Sequence, residues 1–226
     1  RASLKNTVVF TVITVPLQTA GSLVLAAVIA ELFHNKFGNF VKSSLFVPVI
    51  ASAILVGTLW FTLLSPRGVV NSIIHAFGLP SVNWLGGKLT SMLSVCIVSV
   101  WKNVGYFLVI YFAGIMDIPR SLYEAAEVDG ANAFQRFFKI TLPGLSSVTF
   151  LVVTLGTIWS FQVFDLVYTM TGGGPGTSTV TLVLTTYNAA FKEYNMGYAS
   201  AVAMLMFVFV LAVSGLQKLL LKGGED

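Results

Sequence analysis

Charge is what this chain has least of: Asp, Glu, Lys and Arg make up 10% of its 226 residues, against the roughly one quarter usual in soluble domains. So little charge cannot clothe an ordinary water-soluble globule. The single cysteine, Cys96, lies inside an apolar run, which excludes an intramolecular disulfide and a cysteine metal cluster. His34 and His75 stand in separate loops with no neighbouring acid or cysteine, so neither zinc nor histidine-based catalysis is expected. The basic residues behind the net charge of +4 are scattered over loops and not gathered on one face, which argues against nucleic acid. A nucleotide cradle is lacking too. Gly87-Lys88-Leu89 has no Ser or Thr after its lysine and no first glycine at the required spacing, and the glycine-rich run 171–179 has no lysine. The chain is therefore expected to bind no cofactor of its own, and any ATP and magnesium must be brought by another subunit. No cleavable leader is expected, because the first apolar segment is too long for a signal core and lacks a small-residue cleavage site.

What is abundant is long apolar sequence. Apolar residues are 56% of the chain, and they fall in runs at 7–33, 44–64, 88–116, 145–169 and 197–221, each near the ~20 residues needed to cross a bilayer. The expected fold is an all-α polytopic membrane protein: one transmembrane domain over 1–226, a helical bundle of about five spans. A polar loop at 117–143 lies on one side, and loops at 65–87 and 170–196 lie on the other. Pro16 and Gly21 interrupt the first span, Phe46-Val47-Pro48 opens the second, and Trp60-Phe61 closes it as an interfacial aromatic pair. A weak apolar helix is expected at Val69 to Phe77 in the first outer loop.

Two spans carry polar residues where lipid alone would not tolerate them. Trp101-Lys102-Asn103-Val104-Gly105-Tyr106 falls near the middle of the third, where a lysine costs about 2.5–3.5 kcal/mol on insertion scales and polar groups usually face the bundle interior. Either these residues line a solute pathway, or Lys102 reaches up to the interface while Asn103 bonds a neighbouring helix. The fourth holds Trp159-Ser160-Phe161-Gln162-Val163-Phe164-Asp165. On an uninterrupted helix Asp165 lies about 10 Å nearer the surface than Lys102, so Gln162 or Ser160 is the expected neighbour of the lysine. Tyr106 and Trp159 serve equally as helix packing or as faces for a polyhydroxylated ligand.

The densest charge is in 117–143. Ser121 three residues before Glu124, after Pro119, predicts a capping box, and Gly130 predicts the helix end. A second short helix follows, with Phe134, Phe137 and Phe138 expected on one face. A helix lying on headgroups would be basic opposite large apolar residues. This one sets Glu124, Glu127 and Asp129 beside Ala125 and Ala126, which favours docking into a groove of another protein.

Glu124-Ala125-Ala126, three residues, Gly130, nine residues, then Ile140, one residue, Leu142 and Pro143 resembles the EAA loop of binding-protein-dependent ABC-transporter permeases at every defining position. Thr171-Gly172-Gly173-Gly174-Pro175, the apolar stretch on to Tyr187 and Ala190-Phe191, and Leu45-Phe46-Val47-Pro48 resemble the sugar-importing, maltose-type branch. The resemblance implies a type I importer core whose loop is cytoplasmic and couples to the ATP-hydrolysing subunit through Glu124, Ala125, Ala126, Asp129, Gly130, Phe134, Leu142 and Pro143. Glu124 would pair with a basic residue of the ATPase, cap its own helix, or do both. It further implies sugar-facing positions at Ser99, Lys102, Asn103, Tyr106, Gly156, Trp159 and Ser160, to which Gln162 is added. Lys102 and Trp159 depart from the maltose-specific pattern, so the sugar is not assigned.

The implied partners are a second homologous permease, two ATP-binding subunits, an extracytoplasmic solute-binding protein docking near the glycine loop, the sugar, and the bilayer of a prokaryotic cell membrane. The chain itself is expected to be a transport subunit and not an enzyme. With the EAA loop inside, inner loops hold Lys36, Lys42, Arg120, Arg136, Lys139, Lys218 and Lys222 against Arg1, Lys5, Arg67, Lys88 and Lys192 outside, a slight positive-inside bias. This orientation puts the chain's start outside, so an earlier span is expected. Alternatives are a permease for another polar solute such as glycerol phosphate, a polyol or an amino acid, or a secondary transporter without an ATPase. The last predicts paired intramembrane acids or inverted repeats, whereas only Lys102 and Asp165 are found, with no obvious repeat.

Overall fold

The architecture comes from a computed structural model that describes residues 2–32 and 36–222. His34 lies outside the described residues. Among them every regular element is helical. The first, α1 (Ala2–Leu32), runs on past Pro16 and carries a polar stripe, Thr7, Thr11, Thr14, Gln18 and Ser22, all buried. Spacings of three and four put these side chains on one face, and that face packs on α5 (Lys88–Asp117) and α9 (Ser146–Phe161). Small hydroxyls suit a helix interface in lipid, where close approach and not apolar burial drives association. Several satisfy themselves locally: Thr11 Oγ1 donates to the Thr7 carbonyl at 2.9 Å.

The second span is not one helix. α2 (Lys36–Ile50) and α3 (Ala53–Leu63) meet at 97° across Ala51-Ser52. Pro48, expected at the entry, lies just before that break. A proline has no amide hydrogen to donate, so the ladder is already weakened there. α2 lies directly on α5 because position 105 is glycine: a Cβ there would stand 2.0 Å from the Leu45 carbonyl oxygen.

The outer loop contains α4 (Val69–Ala76), close to the expected Val69 to Phe77. Asn71 is buried and staples the loop, donating to the Val82 carbonyl at 3.1 Å and accepting from the Val82 amide at 3.0 Å.

α5 is the axis of the bundle and bears two apolar clusters. Met92, Val95, Cys96 and Val98 pack with Phe10, Val56, Leu64 and Leu166 toward one end. Phe107, Leu108, Tyr111 and Ile115 pack with Leu23, Ala26, Ile29, Leu145 and Val152 toward the other. The polar residues 99–103 sit between them.

The fourth span is also interrupted. α9 ends at Phe161, and the chain turns through 162–164 before α10 (Asp165–Met170). After the glycine loop, α11 (Leu182–Tyr187) runs into a π-helical turn, Asn188–Lys192, and α12 (Met196–Lys222) closes the chain. Among the described residues three helices are long and apolar enough to span a membrane, and up to five if each bent pair, 40–50 with 53–63 and 133–144 with 146–161, counts as one span. Three to five spans agree with the expected bundle of about five, with the correction that the second is bent at 51–52 and the fourth stops at Phe161, because a composition window sees apolar content and not the carbonyls freed at a turn.

Candidate functional site

The two breaks meet at one cavity. A cavity of about 190 Å3 is lined by Gln18 from α1, Ala53 at the start of α3, Ser99, Lys102 and Asn103 from α5, and Trp159 to Leu166 around the α9–α10 break, Phe161 excepted. Six of the eight positions expected to face solute line it: Ser99, Lys102, Asn103, Trp159, Ser160 and Gln162. Tyr106 and Gly156 do not. Tyr106 lies behind, with its ring 4.8 Å from that of Trp159 and edge-on to Phe107 at 5.4 Å, so it orients the tryptophan. Gly156 is buried where α9 meets α1. A Cβ there would stand 2.3 Å from Gln18 Nε2, so the missing side chain makes room for the glutamine.

Lys102 Nζ donates to the Val49 carbonyl at 3.3 Å, and not to Gln162 or Ser160. The elbow between α2 and α3 exposes carbonyls at the negative end of α2's dipole, and an ammonium is the natural group to meet them. Asp165, expected nearer the surface, instead lines the same cavity as Lys102. Helical rise ceases to apply across 162–164, where Phe164 has φ −134° and ψ −61°. Among the described residues the two charges form no ion pair within 4.0 Å.

Sequence reading missed Gln18 and Asp165. Gln18 is 2% exposed, and its Nε2 has no partner among the described residues. Its signal was present: a glutamine set in a run of threonines at helical spacing.

The second site is the polar loop. α6 (Arg120–Val128) begins at Pro119 with no side-chain cap, so the predicted Ser121 capping box is absent. Proline's fixed φ starts the helix one turn position early, leaving Ser121 inside it. A capping box does form at α7 (Ala133–Arg136), where Asn132 and Gln135 exchange side-chain to backbone hydrogen bonds of 2.9 Å. Gly130 ends α6 as expected. Its φ is +75°, and Gly130 and Ala131 donate to the carbonyls of Glu127 and Ala126 at 3.0 and 2.8 Å, which is the Schellman pattern.

α7 continues as a π-turn, Phe137–Thr141, then α8 (Leu142–Gly144), and this arm meets α9 at 70°. Tyr123 and Thr141 bond through their hydroxyls at 2.9 Å, tying α6 to the turn. Phe137 does not share a face with the other two phenylalanines: it packs into the inner cluster, while Phe134 is 71% and Phe138 48% exposed. Leu122 and Val128 are exposed as well, so the loop carries exposed apolar side chains beside the exposed Glu124 and Ala125.

The family described as binding-protein-dependent transport system inner membrane component matches residues 4–223. The chain belongs to that family. It is the permease subunit of an ABC importer, an inner-membrane transport protein and not the catalytic subunit. This permease is 38% identical over 227 residues to a probable ABC transporter permease, YurN, of Bacillus subtilis, covering 99% of the chain and 78% of that protein. It is 35% identical over 210 residues to the trehalose/maltose permease MalF of Thermococcus litoralis, covering 91% and 69%. The solved structure of a bacterial ABC transporter importing the acidic polysaccharide alginate superposes with a TM-score of 0.90 at 24% identity, over 100% of this chain and 79% of that one. The fold is shared over the whole of this chain.

Proposed function

We propose that this permease passes a neutral, polyhydroxylated solute, a sugar or short oligosaccharide, through the cavity between its broken spans. Ser99, Asn103, Ser160 and Gln162 supply hydroxyl and amide partners, and Trp159, backed by Tyr106, supplies an apolar ring face for sugar C–H groups. The observation that carries the reading is this polar and aromatic lining held between two apolar clusters. A trehalose/maltose permease among the relatives supports it. An anionic solute such as a glycerol phosphate would draw on Lys102, but that ammonium already serves the Val49 carbonyl and shares its cavity with Asp165. The neutral solute is therefore preferred.

On the same reading the loop docks in a cleft of one ATPase subunit through Glu124, Ala125, Ala126, Asp129, Gly130 and Phe134, with Leu142 and Pro143 setting the arm's exit into α9. ATP closes the two ATPases, and the pair of permeases rocks around the cavity, which an external binding protein loads. No covalent chemistry falls to this chain.

The test is ATP hydrolysis by the reconstituted complex across a panel of neutral sugars, polyols and glycerol phosphate. A neutral sugar should give the largest stimulation, and Asn103→Ala should raise its half-saturating concentration about tenfold with the ATPase still bound. Stimulation by glycerol phosphate alone would overturn the reading.

A further inference from the structure

At the cytoplasmic end of the bundle Arg136 of α7 ion-pairs with two carboxylates: Glu127 of α6, and Glu31 in the last turn of α1. The guanidinium side chain is 15% exposed, while Glu31 and Glu127 are 42% and 62% exposed. A planar fork can serve two acids at once, which a lysine's single ammonium does less well. The first of these pairs lies within the loop. The second crosses 105 residues of sequence and joins the loop to a helix that is not covalently next to it. α5 and α9 flank the loop in sequence, whereas α1 meets it across the inner apolar cluster, where Tyr123, Phe137, Ile140 and Leu142 pack with Leu23, Ala26 and Ile29, and at its end through this clasp and the cavity that both glutamates, Arg136 and Ala27, Val28 and Ala30 line.

α1 is also the helix that brings Gln18 to the mid-membrane cavity, thirteen residues before Glu31, or about 20 Å along one unbroken helix. We infer that Glu31 and Arg136 are positioning residues for coupling: Arg136 grips α1, so that displacement of the loop by the ATPase moves α1 as a rod and alters the cavity wall through Gln18. Unlike the cavity's solute preference, this does not rest on the sugar reading. The solute can be something else and the clasp still operate. Exposed ion pairs contribute little to stability, so the clasp's role is to transmit position, and removing one arm should spare the fold.

The two arms separate the claim from a merely structural role. In the assembled complex, with Cys96→Ser, a cysteine placed by Ser160→Cys reports opening of the cavity through its rate of reaction with a membrane-impermeant methanethiosulfonate. ATP with vanadate should change that rate about tenfold in the parent, the size of an ordinary allosteric coupling. Glu31→Gln should reduce the change to less than about twofold, although the ATPase co-purifies and still hydrolyses ATP. Glu127→Gln, which cuts only the arm inside the loop, should leave it near the parent value. In the Glu127→Gln background, Glu31→Arg with Arg136→Glu rebuilds the link with reversed polarity and should restore the response. A full response in Glu31→Gln, or equal losses in Glu31→Gln and Glu127→Gln, would overturn the inference.

Discussion

The mid-membrane cavity and the cytoplasmic loop are both polar islands in an apolar chain, yet they are built by opposite means. Every turn of the loop is decided within a few residues of sequence: Pro119 starts a helix, Gly130 ends it, and Asn132 with Gln135 starts the next. The cavity is decided at long range. Lys102 meets a carbonyl 53 residues away, Gln18 fits against Gly156, and Gly105 admits the backbone of α2. In water a loop can satisfy leftover groups with solvent, whereas in lipid each freed carbonyl needs a partner from the protein. The two regions should therefore respond differently in stability, with cavity changes destabilising the whole bundle and changes to the loop's turns staying local.

The largest effect is expected at Gly105. Its Cβ position lies 2.0 Å from the Leu45 carbonyl oxygen and 3.2 Å from Phe46 Cα, both backbone, so nothing flexible can yield. Gly105→Val must lift α2 off α5, at a cost at or above the roughly 1–3 kcal/mol of ordinary overpacking. Detergent-extracted protein should be lost from the monodisperse peak in size-exclusion chromatography. A normal profile and thermal midpoint would break the contrast at its strongest point.

Next comes Lys102. Lys102→Met keeps the apolar stem and removes the donor to Val49, leaving a carbonyl unsatisfied for about 1–3 kcal/mol. The thermal midpoint of the purified complex should fall by several degrees, and Lys102→Arg, which retains a donor and the charge, should recover most of it. If methionine is tolerated as well as arginine, the elbow does not depend on the lysine, and its role lies with the solute alone.

These expectations also show why one region was easier to read than the other. Helix ends at Gly130 and the span boundaries of α5 and α12 were legible because they depend on local rules, φ preference and apolar length. Ser121 was misread because it and Pro119 both announce a helix start and proline acts first. The two spans assigned as continuous were broken by events the window cannot weigh. Pro48 was visible, but the Lys102 ammonium that donates to the Val49 carbonyl beside the 97° elbow stands 53 residues away in sequence. Asp165 followed from the same assumption: once α9 stops at Phe161, the acid, though exposed, lines the same cavity as Lys102. Six cavity positions were nonetheless found, since polar residues inside a span have few other places to go.

The smallest effect belongs to the loop. Asn132 accepts the Gln135 amide hydrogen at 2.9 Å and receives nothing else that packing depends on, so Asn132→Ala should cost about 1 kcal/mol, the ordinary worth of an N-cap. Because α7 is only one turn long and continues into the π-turn before α9, that loss frays the arm without disturbing the helices above it. Amide hydrogen exchange should speed up about fivefold over 133–137, the rate change equivalent to that free energy at 25 °C, while residues 95–111 of α5 exchange as before. Faster exchange in α5 would mean that the loop and the cavity share one cooperative unit, and that the separation between local and long-range construction does not extend to their stability.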